Sequence, residues 1–462
     1  MQSSHDWAQL NFGSCELGDK RRTSRLVRVA EDFAANPSAS LPCQLEKWGD
    51  LKAAYRLFDC EAVGHEAVAR PHWKLTRQQA RGRVLVLGDT TEIDFGGLRD
   101  IEGVGPTGNG SGQGFLLHSA LMVAAGTGEL LGVGGQLIHH RKRKVKPAKR
   151  PTAPNRLKQK NRESELWARV IDEIGPPSNQ ASYVHIFDRG ADNFEVYCHL
   201  LQQRCDWVIR ASQLSRIVLA GKSHNRMPLK NYLPEMTAVG RYTLSLRARP
   251  GQAAREALIE VRVGQILLPR PQHVSPWVRK LKPEPIAMNV IDVVEVNPPK
   301  GTSPIRWIFF TQLPAATFEE AWTLIDYYEQ RWLIEEYHKA LKTGCATEER
   351  QLKTGHRLEA IVGLTSVVAV RLLQLKSLAR TAPDTPANRV IPSIWLQMLK
   401  HARKNLARVH DLTIRQFYRE VAKLGGFLGR TSDGEPGWIT IWRGWEKLNL
   451  FVYVASKLKE KQ

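Results

Sequence analysis

Cysteine is scarce in this chain, and the few residues present form no pattern. The six, at 15, 43, 60, 198, 205 and 345, include no C-x-x-C pair and no regular Cys/His ligand spacing. That excludes a disulfide framework and a zinc site and implies free, mostly buried thiols in a reducing compartment. There is also no uninterrupted apolar run of about 18 residues. The N-terminus, MQSSHDWAQL, lacks the basic-then-apolar order of a signal peptide. The expectation is a soluble, cytoplasmic protein with no membrane partner. Acidic residues are in deficit as well. Asp plus Glu number 46 against 67 Lys plus Arg, a formal charge of +21. Self-repulsion of that size calls for a polyanionic partner, nucleic acid ahead of an acidic membrane surface.

What is present divides into segments. At 462 residues the chain is expected to hold two to four domains, and its 42% hydrophobic content suffices to build them. Residues 1 to 80 read as helical. Asp19 can cap a helix that carries Lys20, Arg21, Arg22, Arg25 and Arg28, with Leu26, Val27, Val29, Ala30 and Phe33 as its packing side. The basic side suits either DNA phosphates or solvent. From Arg83 the texture becomes β. Val84 to Leu87 form a buried-strand run that ends at Gly88-Asp89-Thr90-Thr91, and Tyr183 to Phe187 form another that ends at Asp188. Segments on either side of Gly126-Thr127-Gly128 read as a β-hairpin. The Gly-rich segment 103–114 lacks the strand-before, helix-after context of a phosphate loop and reads as a flexible loop.

The most basic segment, 139–162, is interrupted by Pro147, Pro151 and Pro154. It reads as a mobile loop, either gripping DNA or merely solvated. A helix near Phe194 to Leu201 and a strand at Trp207 to Arg210 complete a strand, helix, strand unit. Residues 212–305 alternate as a β-rich insertion before the strand Trp307 to Thr311. The long apolar helix after Gly344 is interrupted by Arg371, which favours core or subunit interface over membrane. The C-terminal part is helical, with Trp438, Trp442 and Trp445 as core or dimer packing.

Thr317 to Gly344 reads as one helix, opened by a Thr317/Glu320 capping box and stopped near Gly344. At about 100° per residue, Tyr328, Arg331, Glu335, Lys339 and Lys342 fall within roughly 80° of one another, opposite Leu333, Ile334, Tyr337, Ala340 and Leu341. Asp89, Asp188 and Glu335 thus form a candidate trio of hard oxygen ligands, the chemistry that binds Mg²⁺. Two such ions about 4 Å apart can activate a nucleophile and stabilise a leaving 3′ oxygen in phosphodiester chemistry. Glu92 and Asp94 are rival ligands. Asp89 is favoured because it terminates the apolar run. His118, His139 and His140 have no fitting spacing partner and read as polar strand or loop residues.

The pattern Y-x-x-R-x-x-x-E-x-x-x-x-x-x-K, here Tyr328, Arg331, Glu335 and Lys342, together with Asp89 in GDTT and Asp188 in FDRGAD, resembles the DDE transposases of bacterial insertion sequences. The closest likeness is to the insertion-sequence-four group, which includes transposon five. It extends over nearly the whole chain, from LGDKRRTSRLV through NPPKG to VVAVRLLQL and LGGF. The resemblance implies a helical DNA-binding domain at 1–80 and an α/β ribonuclease-H-like catalytic core at 81–380, with its β-rich insertion at 212–305. A helical dimerisation domain at 381–462 would follow. It implies Asp89, Asp188 and Glu335 as catalytic ligands of two Mg²⁺ ions, with Mn²⁺ as a substitute. It also implies Tyr328, Arg331 and Lys342 as a phosphate grip and Trp307 as a stacking platform for a flipped base. Arg210 and Trp332 are companions in that grip, and Lys339, Lys20, Arg21, Arg22 and Arg25 are further DNA contacts. The function implied is cut-and-paste transposition by a nucleoid-associated homodimer on double-stranded DNA, through a hairpin intermediate. The alternatives are an inactive or domesticated DNA-binding repressor and another two-metal DNA nuclease.

Overall fold

The apolar run at Val84 becomes the axis of a mixed sheet. In the computed structural model, which describes residues 3–45, 47–97, 100–142, 162–221, 223–248, 253–406 and 408–459, the first strands are β1 (Gly82–Asp94), β2 (Gly105–Thr107), β3 (Gly112–Ala124), β4 (Leu130–His139), β5 (Ala181–Phe187) and β6 (Asp206–Arg210). β1 has β5 parallel on one side and β3 antiparallel on the other. β4 pairs antiparallel with β3, and β6 parallel with β5. With neighbours on both edges and both faces covered, Val84 to Leu87 can be apolar throughout. Their side chains alternate between two cores, Val84 and Val86 in one and Leu85 and Leu87 in the other.

The β-rich segment is not a separate body. β7 (Ile217–Ala220), β8 (Asn225–Pro228), β9 (Thr237–Leu246), β10 (Arg255–Leu268), β11 (Ile286–Glu295) and β12 (Arg306–Thr311) extend the same sheet, because β12 pairs antiparallel with β6. Twelve strands result, in the order β2-β3-β1-β5-β6-β12-β11-β10-β7-β8, with β4 on β3 and β9 on β10.

Helices cover both faces. Ahead of the sheet come α1 (Ser4–Phe12), α2 (Lys20–Ala35), α3 (Trp48–Phe58) and α4 (His65–Gln79). Asp19 caps α2 by accepting from the Arg21 N–H, and Leu26, Val27, Val29, Ala30 and Phe33 are its buried side. One core packs on α5 (Leu166–Ile174) and α6 (Phe194–Gln202), the other on α7 (Phe318–Glu329), α8 (Trp332–Lys339) and α9 (Gly355–Thr381). α9 is long and apolar enough to cross a membrane, yet 89% of its most apolar window is buried inside the protein. It is the spine of the second core. α10 (Ser393–Ala402), α11 (Ile414–Leu424) and α12 (Trp438–Lys459) follow. Trp442 and Trp445 are buried, the latter 4.5 Å from the Trp395 ring, as core packing requires. The Trp438 side chain lies outside the described residues.

Three sequence expectations are corrected here. β1 does not stop at Asp89: pairing with β5 ends at Leu87 against Ile186, but pairing with β3 continues to Asp94. The Gly-rich segment 103–114 is a β2–β3 hairpin, with Gly105 opposite Gly114, instead of an open loop. Thr317 to Gly344 is not one regular helix. At Gln330–Arg331 the bonds shorten to i→i+3, from Arg331 N–H to the Tyr328 carbonyl and from Ile334 N–H to that of Arg331, and the last turn, Ala340–Gly344, is π. Of the basic segment 139–162, residues 143–161 lie outside the described residues. Its flanks are tied down, His140 to Glu359 at 2.8 Å and Arg162 to Glu195 at 3.2 Å.

Candidate active site

The parallel register of β1 and β5 sets the two aspartates side by side, each two residues beyond the Leu87–Ile186 pair. The strands approach closely at this point. A Cβ on Gly88 would lie 2.3 Å from the Phe187 ring, so only glycine fits before Asp89. Asp188 turns the chain by accepting from the Gly190 N–H at 2.7 Å. Its companion in the same motif, Asp192, is fully buried and accepts from Tyr197 Oη at 2.7 Å, the Ser212 N–H at 2.6 Å and Arg216 Nη1 at 2.5 Å. Asp192 therefore anchors the turn that presents Asp188, a role its spacing alone did not disclose.

α8 brings the third carboxylate. Arg331, at the tightened turn between α7 and α8, reaches Glu335 Oε1 with Nη2 at 2.6 Å and Asp89 Oδ2 with Nη1 at 3.5 Å. Burial pushes the Asp89 carboxyl up to about 6. The Thr90 N–H and Arg331 oppose that rise, and Asp188 and Glu335 add to it. Asp89 thus feels both other carboxylates, and one guanidinium does not neutralise all three. Among the described residues no group of three or more His, Cys, Asp or Glu side chains is arranged to hold a metal ion. Arg331 stands between two of the candidate ligands. The donor set itself, three hard oxygens with uncompensated charge, suits a divalent cation of the Mg²⁺ type.

The rival carboxylates are occupied elsewhere. Glu92 accepts from the Gly108 N–H and pairs with Arg141, and Asp94 accepts from the Gly96 and Gln113 N–H groups, so both hold the hairpin. His118 is fully buried, bonded to Thr90 through Nδ1 at 2.7 Å, and burial lowers its pKa to about 3.

An aromatic and cationic cluster borders the carboxylates. Trp307, half-buried on β12, lies 6.0 Å from the Tyr328 ring, which lies 4.6 Å from Phe309. Tyr328 is buried, which departs from the exposed polar face the periodicity implied. Arg331 sits 6.0 Å from its ring centroid. Burial raises the Tyr328 hydroxyl pKa, while Arg331 and Arg210 draw it down. Lys342 pairs with Glu348 at 3.2 Å, and Lys339 is exposed. Trp332, 63% exposed, borders a separate apolar cleft of about 390 Å³ lined by Leu121, Leu130, Leu333 and Leu373. Neither Asp89, Asp188 nor Tyr328 is among the residues that line it.

On α2, Lys20 is exposed, whereas the arginines are partly committed. Arg21 pairs with Asp19 at 2.9 Å, Arg22 donates to the Leu17 carbonyl at 2.9 Å, and Arg25 ties α2 to α3 through Asp50 at 2.5 Å. The Asp50 partner is a tertiary contact that no local pattern reveals.

Family models place this architecture. Residues 4–63 match Transposase DNA-binding, 156–370 match Transposase DDE domain, and 367–460 match Transposase Tn5 dimerisation domain. The chain belongs to the Tn5-like DDE transposases. In this transposase Asp188, Trp307, Tyr328, Arg331, Glu335 and Lys342 lie within the DDE match, and Asp89 precedes it. The DNA-binding match spans α1 to α3, and the dimerisation match begins inside α9.

Proposed function

We propose that the chain is a cut-and-paste DNA transposase whose catalytic core is ribonuclease-H-like, with Asp89, Asp188 and Glu335 as its catalytic carboxylates. The observation that carries the reading is geometric: the parallel β1–β5 register brings Asp89 alongside Asp188, and Arg331 contacts both Asp89 and Glu335. The strand order β4-β3-β1-β5-β6, with the first three antiparallel and the rest parallel, supports the fold. The intact trio disfavours a repressor, which needs no catalytic carboxylates.

Asp89, Asp188 and Glu335 would hold two divalent cations, Mg²⁺ or Mn²⁺, which supply Lewis-acid activation of the nucleophile and charge neutralisation at the leaving oxygen. Water attacks the phosphodiester at a transposon end and frees a 3′-OH. That hydroxyl attacks the opposite strand to form a hairpin, displacing the flanking DNA. A second water opens the hairpin, and the freed 3′-OH then attacks target DNA. Arg331, Lys342, Lys339 and Arg210 hold phosphate oxygens during these steps, since guanidinium and ammonium groups form charge-assisted bonds to them. Trp307 offers a ring to a base unstacked at the hairpin, and the exposed Trp332 is its companion in the strand grip. Lys20, Arg21, Arg22 and Arg25 approach the end duplex from α2. The 212–305 strands brace Trp307, and the C-terminal helices pair two protomers on double-stranded DNA in the bacterial nucleoid.

The test is incubation of the protein with its inverted-repeat ends and Mg²⁺, followed by a denaturing gel. Nicked and hairpin species are expected. Nicks without hairpins would instead identify another two-metal nuclease.

A further inference from the structure

At the N-terminal ends of β1 and β5, away from the carboxylates, lies a cleft of about 690 Å³ that the reading above does not use. One wall is cationic. α4 brings Lys74 and Arg77 to the lining, with Arg70 one turn before Lys74 on the same helix side, and Arg81 joins them from the extended chain after the helix end. The opposite wall is the turn after α5, where Ser178, Asn179 and Gln180 are exposed.

Charge on this wall is not balanced. Among the described lining residues Glu173 is the one carboxylate, and Arg70 and Arg77 approach it at 3.9 and 3.8 Å; Arg70 is also paired with Glu66, outside the lining, which leaves four cations against two carboxylates. Arg77 is fixed by bonds to the Glu173 and Ile174 carbonyls, and Arg81 by bonds to those of Gln78 and Ala80. Burial lowers the Arg77 pKa, Glu173 and Tyr183 oppose that, and the Arg70 charge adds to it. The volume matches small-molecule pockets of about 300–1,000 Å³, but those are lined mainly by apolar side chains. Cations facing hydroxyl and amide groups form the donor set that contacts phosphate and sugar without reading bases. Gly82, at the cleft, is seven residues from Asp89 along β1, about 23 Å at ~3.3 Å per residue. That is roughly seven base-pair steps of duplex.

We propose that this cleft is a second contact for the phosphate backbone of duplex DNA, distinct from the carboxylate centre. It rests on the transposase reading only for the choice of polyanion. The test uses the full chain with two variants, Lys74→Glu/Arg81→Glu and Lys74→Gln/Arg81→Gln, and a control reversal, Arg279→Glu/Lys280→Glu. Binding to a long duplex of unrelated sequence and to a short end duplex is titrated against salt. Each lost phosphate contact removes about 0.9 from the slope of log affinity against log salt. Both cleft variants should lose about 2 from that slope on the long duplex while binding the short duplex as wild type does. The control should keep the wild-type slope. Wild-type slopes in the cleft variants, or equal losses in the control, would overturn the proposal. Failure of wild type to bind the end duplex at all would instead count against the transposase reading.

Discussion

Carboxylates occur in two settings in this molecule. In the β-rich half, the buried ones are matched to arginine. Arg306 holds both oxygens of the fully buried Asp292 at 2.8 and 2.6 Å, Arg241 and Arg262 hold Glu260, and Arg255 holds Glu295. Those guanidinium bonds keep Glu260 and Glu295 below the usual carboxylate range. At the β1–β5 edge, by contrast, Asp89 and Glu335 share Arg331 with Asp188 nearby, and Asp89 is pushed up to about 6. Saturated carboxylates fasten strands. Unsaturated ones leave negative charge where a cation can bind.

The contrast predicts opposite outcomes for similar substitutions. The largest effect falls at the centre: Glu335→Ala should leave end binding intact and lower nicking at least 10³-fold, on the order of 4 kcal/mol in the barrier. Persistent Mg²⁺-dependent nicking on a denaturing gel would break the assignment. In the saturated half the damage is to stability. Arg306→Ala leaves Asp292 buried without its partner and should cost about 3–5 kcal/mol in a denaturant titration. A change under about 1 kcal/mol would erase the distinction between the two settings. Trp307→Ala should slow hairpin formation, since base stacking on an aromatic ring is worth about 1–3 kcal/mol. Its first nick should be spared, and equal loss of both steps would remove Trp307 from the hairpin step.

Local signals were legible in the sequence, and long-range ones were not. The Asp19 cap and the Thr317/Glu320 box depend on residues within one turn, and both are present. The apolar runs before Asp89 and Asp188 gave the two strands, because burial on both faces dictates composition. That β1 continues past Asp89 depends on β3, some 30 residues away. The tightened turn at Arg331 has no glycine or proline to announce it. Asp188 and Asp192 share one motif, and only tertiary partners separate the half-buried ligand candidate from the buried anchor. The join of β12 to β6, which merges the β-rich segment with the sheet, is likewise a pairing across distant sequence.

The most direct test of the account is the stability of Asp89→Asn at pH 7 without divalent cation. A carboxyl whose folded pKa is raised favours folding below its unfolded pKa of about 3.9 and loses that contribution as pH rises through about 6. At pH 7 the charged Asp89 therefore burdens the fold, by about 2 kcal/mol after allowance for partial solvent exposure. Asn removes the charge, so the variant should melt higher than wild type while losing nicking. A lower melting temperature would show that Asp89 is a saturated structural carboxylate like Asp292, and would contradict the account.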